Sequence, residues 1–270
     1  MAADSQQAIG IFDSGIGGLT VLKEIRQRLP RERILYLGDT ARVPYGTRSA
    51  QTVQKYARAN TEFLNRQDIK LLVIACNTAS AVATEQLRGS YSLPVIDVVG
   101  PGARAAVEAT RSGRVGIIGT EGTISSGAYQ REVSSLLPEA VIFAQPCPLF
   151  VPLVEQGWVD AGDPAVQLIV RRYLEPFLDF RIDVLVLGCT HYPLLKQAIA
   201  RFLGGAITLI DSAEQTAREV ESTLRGSGLL RDEPGGPPQY FVTDIPHRFA
   251  ATGSLFLGES LGDVKLIDII

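Results

Sequence analysis

Short runs of β-branched and other apolar residues alternate along this chain with longer segments whose composition favours helices. This rhythm is typical of βα units, in which helices cover both faces of a parallel sheet. We therefore predict an α/β fold with mostly parallel sheets. The predicted strands are Ile9–Phe12, Ile34–Leu37, Leu71–Ala75, Val95–Val99, Val115–Ile118, Val141–Ala144, Val184–Leu187 and Ile207–Ile210.

The chain also resembles itself, because three short motifs occur twice in the same order. GIFDSGIGG (10–18) parallels VGIIGTEGT (115–123), LVIACNT (72–78) parallels LVLGCTH (185–191), and PVIDVV (94–99) parallels TLIDSA (208–213). Motifs in register at nearly equal spacing indicate two pseudo-symmetric α/β domains with a cleft between them. We assign residues 1–98, completed by 212–270, to the first domain and residues 99–211 to the second. Within the tail, the strand-like segment QYFVTD (239–244) is expected to return to the first domain.

Composition narrows the expected partners. The chain has 270 residues, 46 % of them hydrophobic, which is enough to bury a large core. Its net charge is −3 and both signs are interspersed, so the sequence shows no basic surface for binding nucleic acid or a membrane. The first ten residues lack the basic start and apolar stretch of a secretory signal. Three cysteines, an odd number, argue against a disulfide framework. We expect a cytoplasmic protein that binds small molecules or other subunits.

Cys76 and Cys189 occupy matched positions where a strand is expected to meet a helix. The thiolate is the reactive form of cysteine, and its pKa falls at a helix N-terminus, where free N–H groups favour negative charge. One such cysteine is most simply a small buried hydrophobe. Two in matched positions favour a pair of reactive thiols that face each other across the cleft. Cys147, between two prolines, has no counterpart and is predicted to serve packing only.

Other polar residues gather around these cysteines. His191 lies two residues after Cys189 and would set the protonation of that thiol. Asp13 ends the first strand and is expected to border the cleft near Cys76, although a helix-capping role fits its position equally well. The glycine-rich DSGIGG lacks the spacing of a nucleotide-binding loop, so we interpret it as a tight turn whose N–H groups bind a small anion such as a carboxylate. Ser14 and Thr120 add neutral donors.

Paired thiols across a cleft suit the inversion of a carbon acid, because one removes a proton and the other delivers a proton to the opposite face. Every lysine lies outside the two cysteine motifs and the glycine-rich motif, so a cofactor bound as a Schiff base is not expected. Three alternatives stay open. Cys76, Cys189 and His191 can be interpreted as a Cys₂His zinc site. One cysteine with His191 would suit a thiol hydrolase, and two domains around a cleft are also typical of a solute-binding protein.

Eight motifs between residues 9 and 244 carry a resemblance to a known family. They are IFDSGIGGLTV, GDTARVPYG, IACNTASA, VIDVVGPGA, CPLFVPLVEQG, LGCTHYPLL, LIDSAEQTA and FVTD. Together and in this order they closely resemble the glutamate racemases of the cofactor-independent aspartate/glutamate racemase superfamily.

The resemblance implies an isomerase that interconverts L- and D-glutamate without cofactor or metal, supplies D-glutamate for peptidoglycan and forms a homodimer. It implies that Cys76 and Cys189 are the catalytic acid/base thiols, assisted by Asp13 and His191 respectively. The substrate contacts that it implies are Asp13, Ser14, Tyr45, Gly46, Asn77, Thr78, Thr120, Thr190 and His191. Glu155 of LVEQG is a further candidate on the side of His191.

Overall fold

The structure is a computed structural model that describes residues 4–269. Its strands form two separate sheets, and every strand pairing in both is parallel. The strands are β1 (Ala8–Asp13), β2 (Ile34–Gly38), β3 (Ile69–Ile74), β4 (Val95–Asp97), β5 (Arg114–Gly119), β6 (Val141–Pro146), β7 (Val184–Gly188), β8 (Thr208–Asp211), β9 (Gln239–Val242) and β10 (Val264–Leu266). The predicted α/β fold with parallel sheets is confirmed.

The order of the strands reveals the internal repeat. The first sheet has six strands in the order β10-β9-β2-β1-β3-β4, and the second has four in the order β6-β5-β7-β8. The run β2-β1-β3-β4 therefore has the same arrangement as the whole second sheet. Because β1 lies beside β3 and β5 lies beside β7, the loops that follow these strands meet at the carboxyl edge of each sheet.

Helices cover the sheets and connect their strands. They are α1 (Leu19–Arg28), α2 (Ala50–Asn65), α3 (Asn77–Ser90), α4 (Val99–Ala109), α5 (Glu121–Ser126), α6 (Ala128–Leu136), α7 (Phe150–Glu155), α8 (Pro164–Phe180), α9 (Lys196–Leu203), α10 (Ser212–Gly226) and α11 (Pro246–Leu257), with short 3₁₀ segments at Thr40–Arg42, Tyr45–Thr47 and Tyr192–Leu195. Helix α10 contacts both α1 and α4, so it packs between the two sheets. No helix in the described part of the chain combines the length and the apolar character that crossing a membrane requires.

The tail of the chain adds to the first sheet. Strand β9 covers the first residues of QYFVTD and pairs with β2, and β10, which the sequence patterns did not indicate, pairs with β9. The first sheet thus combines strands from both ends of the chain, while the second lies within residues 114–211. The domain boundaries at 98/99 and 211/212 stay a prediction.

One predicted strand was too long. The segment predicted as Val95–Val99 ends as a strand at Asp97, because the Asp97 Oδ1 accepts hydrogen bonds from the backbone N–H groups of Val99 (2.7 Å) and Gly100 (2.9 Å) and so caps α4. The matched Asp211 caps α10 in the same way, by accepting from the Ala213 N–H at 2.9 Å. The third repeated motif therefore has a structural role: its aspartate ends a strand and begins a helix.

Candidate active site

A cavity of about 370 Å³ lies between the carboxyl edges of the two sheets. Its polar side chains are hydroxyls, an amide, an imidazole, two carboxylates and two thiols. The residues that line it are Ser14, Val43, Pro44, Tyr45, Gly46, Thr47, Cys76, Asn77, Thr78, Thr120, Glu121, Pro148, Val151, Pro152, Glu155, Cys189, Thr190 and His191. Loops from both sheets thus build a single site.

Apart from Asp13, every site residue that we predicted lies in the lining of this cavity, and so does Glu155. Sequence reasoning missed the apolar part of the lining, together with Thr47 and Glu121. The missed apolar residues are Val43, Pro44, Pro148, Val151 and Pro152. These five belong to the motifs GDTARVPYG and CPLFVPLVEQG, so the signal was present, but valine and proline carry no chemistry that would single them out.

Cys76 is the residue at which β3 gives way to α3, as the repeat predicts. Its Sγ lies 3.6 Å from the Ser14 Oγ. Burial, followed by the nearby Asp13 carboxylate, raises the pKa of Cys76 to about 12, although the Ala79 backbone N–H of α3 acts in the opposite direction. The N-terminus of α3 does lower the pKa of this thiol, as expected, but desolvation outweighs it, so the net shift is upward. Cys76 is a protonated thiol at neutral pH.

Asp13 lies behind the cavity and not in its lining, which differs from the expectation that it borders the cleft. Only 1 % of its surface is exposed, and its Oδ2 accepts a hydrogen bond from the Gly15 N–H at 2.8 Å. The tight turn of DSGIGG therefore holds a carboxylate of its own chain. Burial raises the pKa of Asp13 in spite of this hydrogen bond. That Asp13 assists Cys76 stays a prediction.

Cys189 has a different environment. The chain continues from it into the 3₁₀ segment Tyr192–Leu195 before α9 begins, so Cys189 does not cap an α-helix as we expected. Its Sγ lies 3.9 Å from the Nδ1 of His191, whose Nε2 lies 3.1 Å from the Glu155 Oε1. Glu155, at the end of α7, is thus a direct partner of His191.

His191 is charged in this arrangement. Burial on its own would lower the pKa of His191, but the hydrogen bonds with Cys189 and Glu155 raise it to about 10. The hydrogen bond with His191 lowers the pKa of Glu155 in turn. At neutral pH an imidazolium therefore donates to Glu155 and lies beside the sulfur of Cys189.

The glycines of DSGIGG permit the two loops to approach closely. A Cβ atom on Gly17 would collide with the Thr190 hydroxyl and the His191 ring. Gly46 has a similar role across the cavity, because its Cβ would lie 2.8 Å from that of Thr120. These glycines are needed for close contact between loops of the two sheets.

Three hydroxyl groups join the sheets beside the cavity. The Thr78 Oγ1 lies 2.9 Å from the Thr120 Oγ1 and 3.3 Å from the Thr123 Oγ1, and the last two are 3.0 Å apart. Thr78 belongs to α3 of the first sheet, whereas Thr120 caps α5 of the second. The predicted substrate contacts Thr78 and Thr120 are therefore held together.

The loop that carries Tyr45 is fixed from behind. The Tyr45 hydroxyl donates to the buried carboxylate of Asp39 and accepts from the Asn60 Nδ2 at 3.0 Å. Arg42 forms an ion pair with the same carboxylate at 2.8 Å. Burial and the Asp39 charge raise the pKa of Tyr45, so its hydroxyl keeps its proton. The ring of Tyr45 can therefore shape the cavity as a rigid neutral group.

The zinc-site alternative finds no support in this geometry. Across residues 4–269 no three His, Cys, Asp or Glu side chains are grouped so that they can hold a metal ion, so Cys76, Cys189 and His191 do not form the zinc site that we considered. Cys147 is buried outside the cavity lining, and its thiol donates to the Gln145 carbonyl at 3.7 Å. Burial raises the pKa of Cys147, which agrees with a packing role.

A cavity with a thiol from each of two like α/β units defines a class of enzyme, namely one that moves protons at two faces of one carbon atom. Comparison with known proteins identifies the family. The chain belongs to the Asp/Glu/Hydantoin racemase family, whose model matches residues 9–220. It is accordingly a racemase, and the solute-binding and hydrolase alternatives are set aside.

Relatives and solved structures agree with this assignment. The chain is 53 % identical to a glutamate racemase of Geobacter metallireducens over 97 % of each sequence. It is similar to the crystal structure of a glutamate racemase isoform from Bacillus anthracis, with a TM-score of 0.93 and 40 % identity over 97 % of this chain and 98 % of that one. It is also similar to the Francisella tularensis glutamate racemase in complex with D-glutamate, with a TM-score of 0.92 and 38 % identity over 98 % of both chains. The resemblance inferred from the motifs is confirmed.

Proposed function

We propose that this protein interconverts L-glutamate and D-glutamate without a cofactor and supplies D-glutamate for peptidoglycan synthesis. The observation that carries the proposal is that Cys76 and Cys189, from matched loops of the two sheets, line the same cavity. The choice of glutamate is supported by the 53 % identity to a glutamate racemase over nearly the whole chain.

The protonation states of the two sides suggest how a turnover begins. Cys76 carries a proton, because its pKa is raised to about 12, while Cys189 lies beside the charged His191. In one direction of the proposed reaction the Cys189 sulfur takes the α-proton from the enantiomer whose Cα–H bond faces it, and the Cys76 thiol delivers its own proton to the opposite face. The enzyme is left with a thiolate at Cys76 and a thiol at Cys189. This form accepts the other enantiomer and reverses the reaction.

Neutral donors in the lining fit a substrate with two carboxylates. Asn77 and Thr78 lie beside Cys76, and Thr190 lies beside Cys189, so donors flank both thiols. Donors fixed at these positions bind the substrate carboxylates and hold Cα between the two sulfur atoms. Ser14, Tyr45, Gly46 and Thr120 supply the contacts at the remaining surface of the cavity.

Proton labelling tests the two-thiol proposal directly. In deuterated water the thiol that delivers the proton has already exchanged with solvent. Newly formed enantiomer should therefore carry deuterium at Cα while unreacted substrate keeps its protium, whichever enantiomer is supplied. Chiral separation followed by mass spectrometry at low conversion measures both. Substantial protium in the first product would point to a single base that serves both faces.

We also propose that the enzyme works in the cytoplasm as a homodimer, as its resemblance to glutamate racemases implies. Sedimentation equilibrium of the purified protein at several concentrations should give about twice the mass of one chain, which is 29.1 kDa. A mass that stays at that of one chain would rule out the dimer without affecting the proposed reaction.

A further inference from the structure

One hydrogen bond between the two halves of the molecule ends at a residue of the cavity. The hydroxyl of Tyr129, on α6 of the second half, donates to the Oδ1 of Asn77 at 2.7 Å. Asn77 is the first residue of α3 and follows Cys76 directly. The Tyr129 side chain is fully buried and lies outside the cavity lining, and Asn77 is the lining residue to which its hydroxyl donates. The Val98 carbonyl, at 3.4 Å, is a more distant acceptor for the same hydroxyl.

The other end of the same amide is unpaired. The Nδ2 of Asn77 is buried and has no hydrogen-bond partner among residues 4–269. A buried N–H donor without an acceptor costs stability, and in native proteins it calls for a specific explanation. Since Asn77 lines the cavity, a bound ligand with a negatively charged oxygen would supply the missing acceptor.

Tyr129 determines which end of the amide faces the cavity. An asparagine amide can turn so that its oxygen and nitrogen exchange places. The reversed amide would direct a carbonyl oxygen towards a carboxylate and repel it. Burial raises the pKa of Tyr129, so its hydroxyl keeps the proton that it donates. That proton favours the orientation in which the Asn77 oxygen points away from the cavity and the nitrogen is presented to a ligand.

We propose that Tyr129 is a positioning residue, which fixes the Asn77 amide so that its Nδ2 donates to a substrate carboxylate beside Cys76. The inference rests on the proposed function for the identity of the substrate. Because Tyr129 and Asn77 come from different halves of the molecule, this hydrogen bond also makes the donor available only when the two halves are packed together.

The substitution Tyr129→Phe tests the inference, because it removes one hydroxyl and leaves the ring in place. We expect the KM for glutamate to rise by about tenfold in both directions, with a much smaller change in kcat, because the lost interaction binds the substrate in its ground state as well as in the transition state. The matched control is Tyr240→Phe, which removes the hydroxyl of another buried tyrosine, in β9, away from the cavity. Its KM should equal that of the wild type.

A double variant separates positioning from a general structural effect. Asn77→Ala removes the group through which Tyr129 acts, so adding Tyr129→Phe to it should raise the KM no further. If the two effects multiply instead, or if Tyr129→Phe leaves the KM unchanged, the inference is wrong. The proposed function fails separately, in that the wild type would then not racemise glutamate at all.

Discussion

The two halves of the molecule have the same strand order and place one thiol at the same point of each sheet, yet they surround those thiols with different chemistry. Cys76 lies in front of a buried carboxyl group, Asp13, and its pKa is raised to about 12. Cys189 lies 3.9 Å from the imidazole of His191, whose pKa is raised to about 10. One sulfur therefore lies beside a buried carboxyl group and the other beside a charged imidazole.

This difference shows how a repeated fold can serve a reaction that is not symmetric at any one moment. Inversion at carbon needs a proton donor on one face while a proton acceptor works on the other. The shared strand order supplies the placement of the sulfur atoms, and the side chains that differ between the repeats give the two sulfur atoms different surroundings. Each half also depends on the other, since Tyr129 of the second contacts Asn77 of the first, and Thr20 of the first contacts Thr190 of the second.

The largest effects should come from the sulfur atoms themselves. Cys76→Ser and Cys189→Ser should each lower kcat by roughly 10³-fold to 10⁴-fold in both directions, because a hydroxyl is far too weak an acid to replace either thiol. Cys147→Ser is the control, since Cys147 is buried outside the cavity, and it should keep near-normal rates. Circular dichroism checks that all three variants are folded.

The same cysteine variants test whether the difference between the two halves matters for catalysis. Equal losses at Cys76 and Cys189 would agree with two thiols that both act in every turnover. A racemase that tolerates the loss of one of them would have a single base, and the different surroundings of the two thiols would then have no mechanistic meaning.

A smaller effect is expected from Asp13→Asn, which should lower kcat by about 10²-fold and also stabilise the protein. The asparagine can still accept the hydrogen bond from the Gly15 N–H, but it carries no charge. After burial, the Asp13 carboxylate is the second cause of the raised pKa of Cys76. Its loss lowers this pKa and so changes the acidity of the thiol that donates a proton on that face of the substrate. Activity and thermal unfolding measured on the same preparation test both expectations.

The sign of the stability effect follows from the burial of Asp13. Burial raises the pKa of Asp13 in the folded state above the value of 3.8 for an exposed aspartate, so the charged form is disfavoured by folding. Wild-type stability is therefore lost as pH rises through that folded-state pKa. The variant should therefore unfold at a higher temperature than the wild type at pH 8, and the difference should shrink towards pH 4. A lower unfolding temperature at pH 8 would contradict this.

Much of this architecture could be predicted from the sequence because the βα rhythm and the repeated motifs report local structure. The strands, the matched cysteines and the neighbouring polar residues follow from patterns a few residues long. The polar residues Ser14, Asn77, Thr78, Thr190 and His191 all lie in the cavity lining next to the ends of predicted strands.

The remaining features depend on contacts between distant parts of the chain. Sequence placed Asp13 at the cleft, but the turn that follows it folds back and buries the carboxylate. The pKa of Cys76 was expected to fall because the helix N-terminus can be inferred locally, whereas desolvation depends on the whole fold. The partnership of Tyr129 with Asn77 has no local signal, since the two residues belong to different repeats.

A moderate, pH-dependent effect is expected from Glu155→Gln. The substitution removes the carboxylate that raises the pKa of His191, so this pKa should fall from about 10. Because the imidazolium beside Cys189 is lost at a lower pH, the alkaline decline of kcat/KM should move by roughly one pH unit to lower pH. At pH 9 the loss should be about twofold and it should approach tenfold only well above pH 10, while near pH 7 it should be small.

Glu121→Gln provides the matched control for this profile. Glu121 also lines the cavity, but its carboxylate does not bond to His191. The alkaline decline of kcat/KM in Glu121→Gln should coincide with that of the wild type. If both variants shift the profile equally, the cause is the general negative charge of the cavity and not the specific pair of Glu155 and His191.

The smallest effect should come from Thr20→Val, which tests whether the first half supports the second as Tyr129 supports Asn77. The Thr20 Oγ1, on α1, lies 2.9 Å from the Gly17 carbonyl and 3.0 Å from the Thr190 carbonyl of the Cys189 loop. Valine has nearly the same shape but cannot donate, so the loop loses a hydrogen bond while a backbone carbonyl is left to find another donor. This hydrogen bond fixes the backbone of the Cys189 loop but does not orient a group that donates to the substrate. We therefore expect kcat/KM to fall only about threefold to fivefold in Thr20→Val, and Thr20→Ser to stay close to the wild type. A loss as large as that of Tyr129→Phe would mean that both halves depend equally on their neighbour, and the asymmetry would then be confined to the charged groups that surround the two thiols.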